Sequence, residues 1–567
     1  MRLGDPSKYV HHVMDIEPVG RVSPFVGRGI CLIIGTADRG PGMRPIGFAT
    51  ESEVSMTFGS GKLVDQAKLA LREGCNMLYL IRVMGKGYSK AYVDATAVSS
   101  GSTAVGRFWA TSDGNWGNSL SLKIEKGDLK ATDTETFAGD GTVGPYHLKY
   151  DDYLESPYNM VTVGGVSKTI VYSQEGLGAG KVYLDKQNGT LTFYADEEPK
   201  TTDQIKAILK YTTRKVSLYY GGLHIATYNN IDTVMEMEAR MGYSPYVRYV
   251  GVVGETRLPK YGVTLELTGG ADGSPITYGD WELAFEQALN LPPGVYPNTC
   301  CITQHEVEEG SYDLVARLSG YANEMADRFR PCQCFVAIPY LSATEGGYDI
   351  DAATQLGMSY NNPWLTIGAN YYNANGDLIV GAVAGKQASL QLGSSIAEPI
   401  NALSSAGGLL WQFNDSHREL LNKCGLDVLV KDQGIASVSG VAEVGQGVRP
   451  YVGISTNKDT SHASDVFKLL VDMATISHCI QQLDITVSAF YHAKRTWTNL
   501  KRVQASMELW LAGLAEKSVL DDYKIAVTPN PLDRNAAKIQ MWIQPVGHIL
   551  RWETTMYVGH WSDKVAE

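Results

Sequence analysis

Strand, helix and strand succeed one another between Ile30 and Val83, and that order limits what the chain can fold into. Ile30 to Thr36 is an apolar run closed by Gly35 and then by the turn-rich Asp38-Arg39-Gly40-Pro41-Gly42, the pattern of a buried strand that stops at a turn. From Lys62 to Glu73 the apolar Leu63, Ala67, Ala70 and Leu71 recur at helical spacing, and Gly74 follows as a C-cap. Met77 to Val83 reads as a second strand. Two strands joined through a helix lie parallel, because a crossover is what returns the chain to the same end of a sheet. The opening therefore predicts an α/β core.

The character changes between about Ser100 and Gly222, where short alternating runs such as Met160 to Val163, Lys181 to Leu184 and Thr190 to Tyr194 are punctuated by Gly, Asn and Asp. Asn188-Gly189 stands between the last two and predicts a hairpin turn. This is a β-rich inserted domain, with one amphipathic helix predicted over Thr202 to Leu209. From Ile225 to about Val430 helices and strands alternate again, for instance a helix over Tyr312 to Phe329 and a strand over Cys334 to Ile338. A second α/β domain fits that stretch. Beyond Gly434, Ser464 to Gln481 and Lys494 to Ser518 read as helices, and Tyr523 to Thr528 and Ala537 to Gln544 as strands parted by Pro529-Asn530-Pro531. A last extended run covers His548 to Val558.

Length and charge narrow the function classes. A chain of 567 residues holds about three or four domains. With 44% hydrophobic and 19% charged residues it is an ordinary folded composition. A formal net charge of -12 argues against nucleic acid as a partner, since phosphate contacts need a basic surface. No apolar run approaches the ~20 residues of a membrane helix, and Met1 to Gly20 lacks the pattern of a signal peptide, so assembly in cytosol without membrane insertion is expected. Of eight cysteines, Cys31, Cys75, Cys424 and Cys479 sit in apolar surroundings as core residues. Cys300-Cys301 and Cys332 with Cys334 lack the spacing of a zinc motif and are read as strand packing.

The candidate motifs for chemistry each depart from the spacing or context their chemistry needs. Gly381 to Lys386 is one spacer short of a P-loop and lacks its Ser or Thr. Gly176, Gly178 and Gly180, and Gly269-Gly270-Ala271-Asp272-Gly273, do not stand between strand and helix as a dinucleotide site requires, so turns are the reading. Glu197-Glu198 and the pair Asp349 and Asp351 lie in polar loops, where solvated charge is the default. His11-His12 finds no partners in the sequence. The expectation is no catalytic residue, no cofactor and no metal.

One helix stands out physically. Trp497, Leu500, Val503, Met507, Trp510, Leu511 and Leu514 fall on one side at 3.6-residue spacing, with Lys494, Arg495, Lys501 and Arg502 on the other. Cations in the N-terminal half of a helix oppose its macrodipole by a few tenths of a kcal/mol each. A solvated basic face and docking onto an acidic partner surface are both open readings.

Several segments, taken in order, resemble the tail sheath proteins of contractile phages and related contractile injection systems. Ser23-Pro24-Phe25-Val26-Gly27 through Ile34-Gly35-Thr36-Ala37-Asp38-Arg39-Gly40-Pro41 is similar to the family's N-terminal strand and Gly-Pro turn. Phe58-Gly59, the helix to Gly74 and Leu80-Ile81-Arg82-Val83 follow in the family's order. Asn115-Trp116-Gly117-Asn118 resembles the motif after which variable domains are inserted, and Leu267 to Gly273 resembles the Gly-Gly-x-Asp-Gly turn of the middle domain. The C-terminal half departs from the pattern, with only Lys494-Arg495-Thr496-Trp497 and Lys501-Arg502 standing for an Arg-rich helix.

The resemblance implies an α/β (α+β) multidomain chain. Its inner α/β sheath domain would combine N- and C-terminal parts (23–100 and 431–547), beside a middle α/β domain (225–430) and a β-rich outer insert (101–224). Arms at 1–22 and 548–567 would add strands to neighbouring subunits. Tyr9, Val10, Val13 and Ile16, with Ile549, Trp552, Thr554, Tyr557 and Val558, are the expected arm-strand residues, being extended and β-prone. Lys494, Arg495, Lys501 and Arg502 are the expected tube contacts. The implied function is a structural subunit, not an enzyme, that polymerises around the tail tube and contracts to drive it through the host envelope. Its partners would be itself, the tail tube protein, and baseplate and tail terminator proteins, in a virion tail assembled in host cytoplasm. The alternatives are another virion structural protein, capsid or baseplate, and, from a different class, a carbohydrate-active enzyme suggested by 32 Tyr and 10 Trp.

Overall fold

The computed structural model describes residues 29–548 except 98–103, 133, 151, 256, 293, 308–311, 340–347, 432–446, 459–466 and 534–535. Seven strands form a central sheet: β1 (Ile30–Gly35), β2 (Ile46–Phe48), β3 (Met77–Arg82), β4 (Thr299–Ile302), β5 (Gln333–Ala337), β6 (Leu365–Gly368) and β7 (Leu426–Asp427). Their spatial order is β2-β3-β1-β4-β5-β6-β7. All neighbours are parallel except β2, which runs antiparallel to β3. A parallel sheet is covered on both faces, which is why β1 reads as an unbroken apolar run. Helices α1 (Glu51–Phe58), α2 (Lys62–Arg72) and α5 (Val380–Ser389) pack over Cys31, Ile33 and Cys301 on one face. Helices α3 (Leu314–Asp327) and α4 (Ile350–Met358) pack over Leu32, Ile34 and Cys300 on the other.

Segments 23–100 and 225–430, assigned from the sequence to an inner and a middle domain, meet in this one sheet, where Leu32 of β1 stands opposite Cys300 of β4. Pairing across so long an insertion leaves no local signature, and closing a longer loop adds little entropy beyond that of a short one. All eight cysteines are buried and free, the adjacent Cys300 and Cys301 pointing to opposite faces of the sheet.

The glycines that imitate a P-loop have a different use. Gly381 and Gly385 lie in α5, where an added Cβ would come 2.3 Å from the Gln66 carbonyl oxygen and 2.5 Å from the Ala70 Cα. Their four-residue spacing lets α5 and α2 touch backbone to backbone. Gln66 then bridges the helices, accepting from Gly381 N–H at 2.9 Å and donating to the Leu378 carbonyl at 2.7 Å.

The chain between β3 and β4 carries two β-rich units, one inside the other. The first pairs Leu120–Ala131 with Lys210–Tyr220, flanked by Leu223–Ile231 and Val263–Glu266, around a core that includes Phe108, Leu122 and Val216. The second, a seven-stranded sheet from Glu135 to Ile208, is inserted between those two long strands and has its own core of Val161, Leu184, Leu191 and Ile205. Asn188-Gly189 makes the hairpin expected of it, joining Lys181–Asp185 to Thr190–Phe193. Thr202 to Leu209 is not a helix: Gln204–Ile208 is a strand paired on both sides. Ile205 and Ala207 are buried while Gln204 and Lys206 are exposed, a period of two that tertiary pairing enforces over the helical alternative. Where the two units join, the fully buried Arg214 donates to the Pro259 carbonyl at 2.9 Å and faces Asp152 at 3.5 Å, and Thr212 and Tyr261 hydroxyls also reach Asp152.

The last unit comprises α6 (Leu470–Ser488), α7 (Trp497–Glu516) and a hairpin of β8 (Leu520–Pro529) and β9 (Ala537–Pro545). It docks on the central sheet through Gln333, which donates to the Leu470 carbonyl at 2.6 Å, and through Ser477 and Gln481, which donate to the Pro331 carbonyl. Two buried acids lie along that connection. Asp427 accepts from the Tyr371 hydroxyl at 2.8 Å and from Ile454 N–H at 3.3 Å, yet burial pushes its carboxyl up to about 7. Burial likewise raises Asp472, in the first turn of α6, to about 7.

Two outcomes are expected. Gly381→Ala should destabilise the α2–α5 contact by about 1–3 kcal/mol through overpacking, seen as faster amide exchange in both helices, while Gly178→Ala, with open space around it, should change nothing there. The raised carboxyls bind protons in the folded state that the unfolded chain has released above about pH 4, so stability falls as pH rises from there to about 7 and then levels. Between pH 5 and 8 the fall should be roughly 2–3 kcal/mol per group. Asp427→Asn should halve the slope in denaturation measured across that range.

Candidate functional site

The segments that carry the sequence resemblance converge on one side chain. β3 ends in Arg82, 3% exposed, whose guanidinium donates to the carbonyls of Ala37 (2.8 Å), Asp38 (3.2 Å), Gly40 (2.8 Å) and Asp113 (2.9 Å). It also meets Asp272 Oδ1 at 3.4 Å. Asp272 accepts from Asn115 N–H at 3.1 Å, and Asn118 exchanges two hydrogen bonds with Gly270, both 2.8 Å. Arg39 lies over the rings of Trp116 and Tyr246, 5.5 and 4.7 Å from their centroids, and Gly40 N–H donates to Ser112 Oγ at 2.9 Å. At Gly273, φ is +89° and a Cβ would fall 2.4 Å from the Gly85 carbonyl, so the turn is closed to other residues. The joint between the central sheet and the inserted units is therefore a planar five-donor fork reading main-chain carbonyls from two loops, Ala37–Gly40 and Asp113, and the Asp272 carboxylate of a third. Burial pulls the Arg82 pKa down, and Asp272, Asp113 and Asp38 oppose it.

A second surface is the C-terminal hairpin. Ile525 and Val527 of β8 and Ile539, Met541 and Ile543 of β9 face α7, while Lys524 and its cross-strand partner Trp542 face out. Among the described residues no strand pairs with either outer edge. Two strands alone are marginal, and open edges accept further strands. The arm residues Tyr9, Val10, Val13, Ile16, Ile549, Trp552, Thr554, Tyr557 and Val558 lie outside the described residues.

The basic helix is only partly as expected. Leu500, Val503, Met507, Trp510, Leu511 and Leu514 are buried on one face of α7. Trp497 is not with them: at the first helical position it is 58% exposed, with the Lys501 ammonium 5.3 Å from its ring centroid. Lys494 and Arg495 precede the Thr496 N-cap, so they escape the helical position assigned to them, and only Lys501 and Arg502 sit within the helix. Arg495 donates to the carbonyls of Asn530, Asp533 and Ala536, each at 3.2 Å, and so ties the loop between β8 and β9. Of the four cations it is the one committed to the fold. Lys494, Lys501 and Arg502 are exposed.

The carboxylates considered for acid–base work serve local structure. Asp349 caps α4, accepting from Ala352 N–H at 2.9 Å, and Glu197 holds Lys168 and Gly180 N–H. His11-His12 lies outside the described residues. Among the described residues no cluster of three or more His, Cys, Asp or Glu is arranged to hold a metal. The role of Arg82 is not legible in the sequence alone. Its signal was a charge closing an otherwise apolar strand, a position where an arginine must find partners.

Arg82→Met should leave at least four carbonyls without their donor and loosen the joint by about 3 kcal/mol or more. Hydrogen exchange or limited proteolysis should show it first at Asp38–Pro41 and Asn115–Asn118, with the central helices protected as before. Arg82→Lys should rescue little, because one ammonium cannot span the same carbonyls.

No family model and no curated protein matches the sequence. Solved structures do match the fold. A sheath tail protein from Listeria innocua is 14% identical, with a TM-score of 0.56 over 95% of this chain and 96% of that one. A sheath tail protein from Desulfitobacterium hafniense is 13% identical, with a TM-score of 0.53 over 93% of this chain and 99% of that one. The multidomain α/β architecture described above is thus the fold of sheath tail proteins, shared along nearly the whole chain.

Proposed function

We propose that this chain is the structural subunit of a contractile tail sheath. It polymerises helically around a tail tube and shortens by repacking, driving the tube through the host envelope. The observation that carries the reading is the shared fold, which takes in the central sheet, the inserted units and the C-terminal hairpin together. The hairpin supports it independently: a two-stranded sheet with open edges is completed by strands from other copies. Tyr9 to Ile16 and Ile549 to Val558 are the strands proposed to do so, and Ile549 follows the end of β9 at Pro545 by four residues.

Contacts of this donor-to-acceptor kind are heterologous and need not close, so they generate a helical array. Strand pairing persists while larger units repack between two discrete arrangements. The central sheet and hairpin are placed inward and the nested β units outward. Lys501, Arg502 and Lys494 are the proposed tube contacts, with Arg495 acting through the hairpin loop. The further partners are the baseplate and tail terminator, in a virion tail assembled in host cytoplasm, and the role is mechanical rather than catalytic.

Removal of residues 1–20 should leave a folded subunit that no longer sediments as a polymer. Polymers indistinguishable from those of the full chain would defeat the arm assignment. Charge reversal at Lys501 and Arg502 should weaken co-sedimentation with isolated tubes, more so at low salt, without changing the melting profile. Arg495→Glu should instead release the β8–β9 loop and lower stability on its own.

A further inference from the structure

A cavity of about 710 Å3 opens at the carboxyl end of the central sheet, apart from the joint and the hairpin. Strand order explains why it is there. β1 passes the chain through α2, on one face, to β3, whereas its neighbour β4 passes it through α3, on the opposite face, to β5. Where the connections of adjacent parallel strands leave to opposite sides, a crevice remains beyond their carboxyl ends, and open α/β sheets bind ligands there. The residues following β4 and those ending β5 form its floor, α2 one wall, and residues 372–378 after β6 the other.

The lining divides into a polar corner and an apolar wall. Thr303 is 2% exposed and its hydroxyl has no hydrogen-bond partner, an unusual state for a buried polar group. His305 follows two residues on, where burial, opposed by Glu306 and Asp313 and aided by the Lys62 ammonium, pulls the imidazole pKa down. Arg72, also on the rim, is held by both oxygens of Glu51 at 3.0 Å. The apolar lining is Leu69, Leu378 and Tyr372, whose hydroxyl is already committed to the Ile338 carbonyl at 2.7 Å. Asp65 and Asp377 share the rim, so the cavity is of mixed charge. A ligand suited to it has one compact anionic end and a larger neutral body bearing hydroxyls that carboxylates accept from. Three donors in one lining, an ammonium, an imidazole and a hydroxyl, match the several oxygens of a phosphate better than the two of a carboxylate.

We propose that this crevice binds a small phosphate-bearing molecule of nucleotide size, with Lys62, Thr303 and His305 on the phosphate and Tyr372 and Leu378 against the body. The volume is far more than a free phosphate fills and is within the range of small-molecule sites.

Calorimetric titration of the full-length protein with AMP, inorganic phosphate and adenosine tests it. AMP should bind, phosphate more weakly, and adenosine at least tenfold more weakly than AMP. Lys62→Met, an exposed change outside the packed core, should lower AMP affinity about tenfold with the unfolding midpoint unchanged, and Thr303→Val should do the same if it folds as the parent does. Absence of binding by AMP and phosphate alike, adenosine binding as tightly as AMP, or Lys62→Met binding AMP as the parent does would each overturn the proposal.

Discussion

A guanidinium withdrawn from water has to be met on every side, and the Arg82 fork is met almost entirely by backbone. Three carbonyls from the Ala37–Gly40 loop and one from Asp113, in a loop far off in the chain, point at one group. Each loop is thereby fixed relative to the others, because moving any one leaves a buried charge short of an acceptor. Beside it the Gly273 turn closes on Gly85 so tightly that a Cβ on Gly273 would stand 2.4 Å from the Gly85 carbonyl oxygen. The inserted units hang from the central sheet through this joint, so its geometry decides how they are carried.

From that joint outward the molecule is built by insertion. One β unit interrupts the α/β fold, and a second interrupts the first between two long antiparallel strands, with Arg214 and Asp152 buried at the neck. Each unit has its own apolar core. Under the proposed function such units would keep their shape while contacts between copies change, as a sheath that shortens by repacking demands. The C-terminal hairpin is the complementary element, with its apolar face spent on α7 and its outer edges unpaired among the described residues.

Periodicity made the local elements legible. The buried run of β1, the stripe of α2 and α7 and the Asn188-Gly189 hairpin all follow from spacings of 3.6 or 2 residues and from turn chemistry. What stayed hidden depends on distant partners. Thr202 to Leu209 looked helical until pairing on both sides made it a strand, and Gly381 to Lys386 looked like a failed phosphate loop until α2 was laid against it. Trp497 fits the apolar stripe by spacing but precedes the layer it would pack on. Arg495 counts as a free cation until the β8–β9 loop folds back onto it. The sharing of one sheet by β1 and β4 is a fact of topology that no window of sequence contains.

The claim at the centre of the account is that these subunits form a cylinder whose wall is joined by exchanged strands. Cryo-electron microscopy of the purified full-length protein tests it most directly. The account predicts hollow helical cylinders in which the β8–β9 hairpin gains strands from neighbouring copies and the nested β units face outward. Closed shells, isolated rings, or cylinders in which the hairpin edges stay unpaired would contradict it.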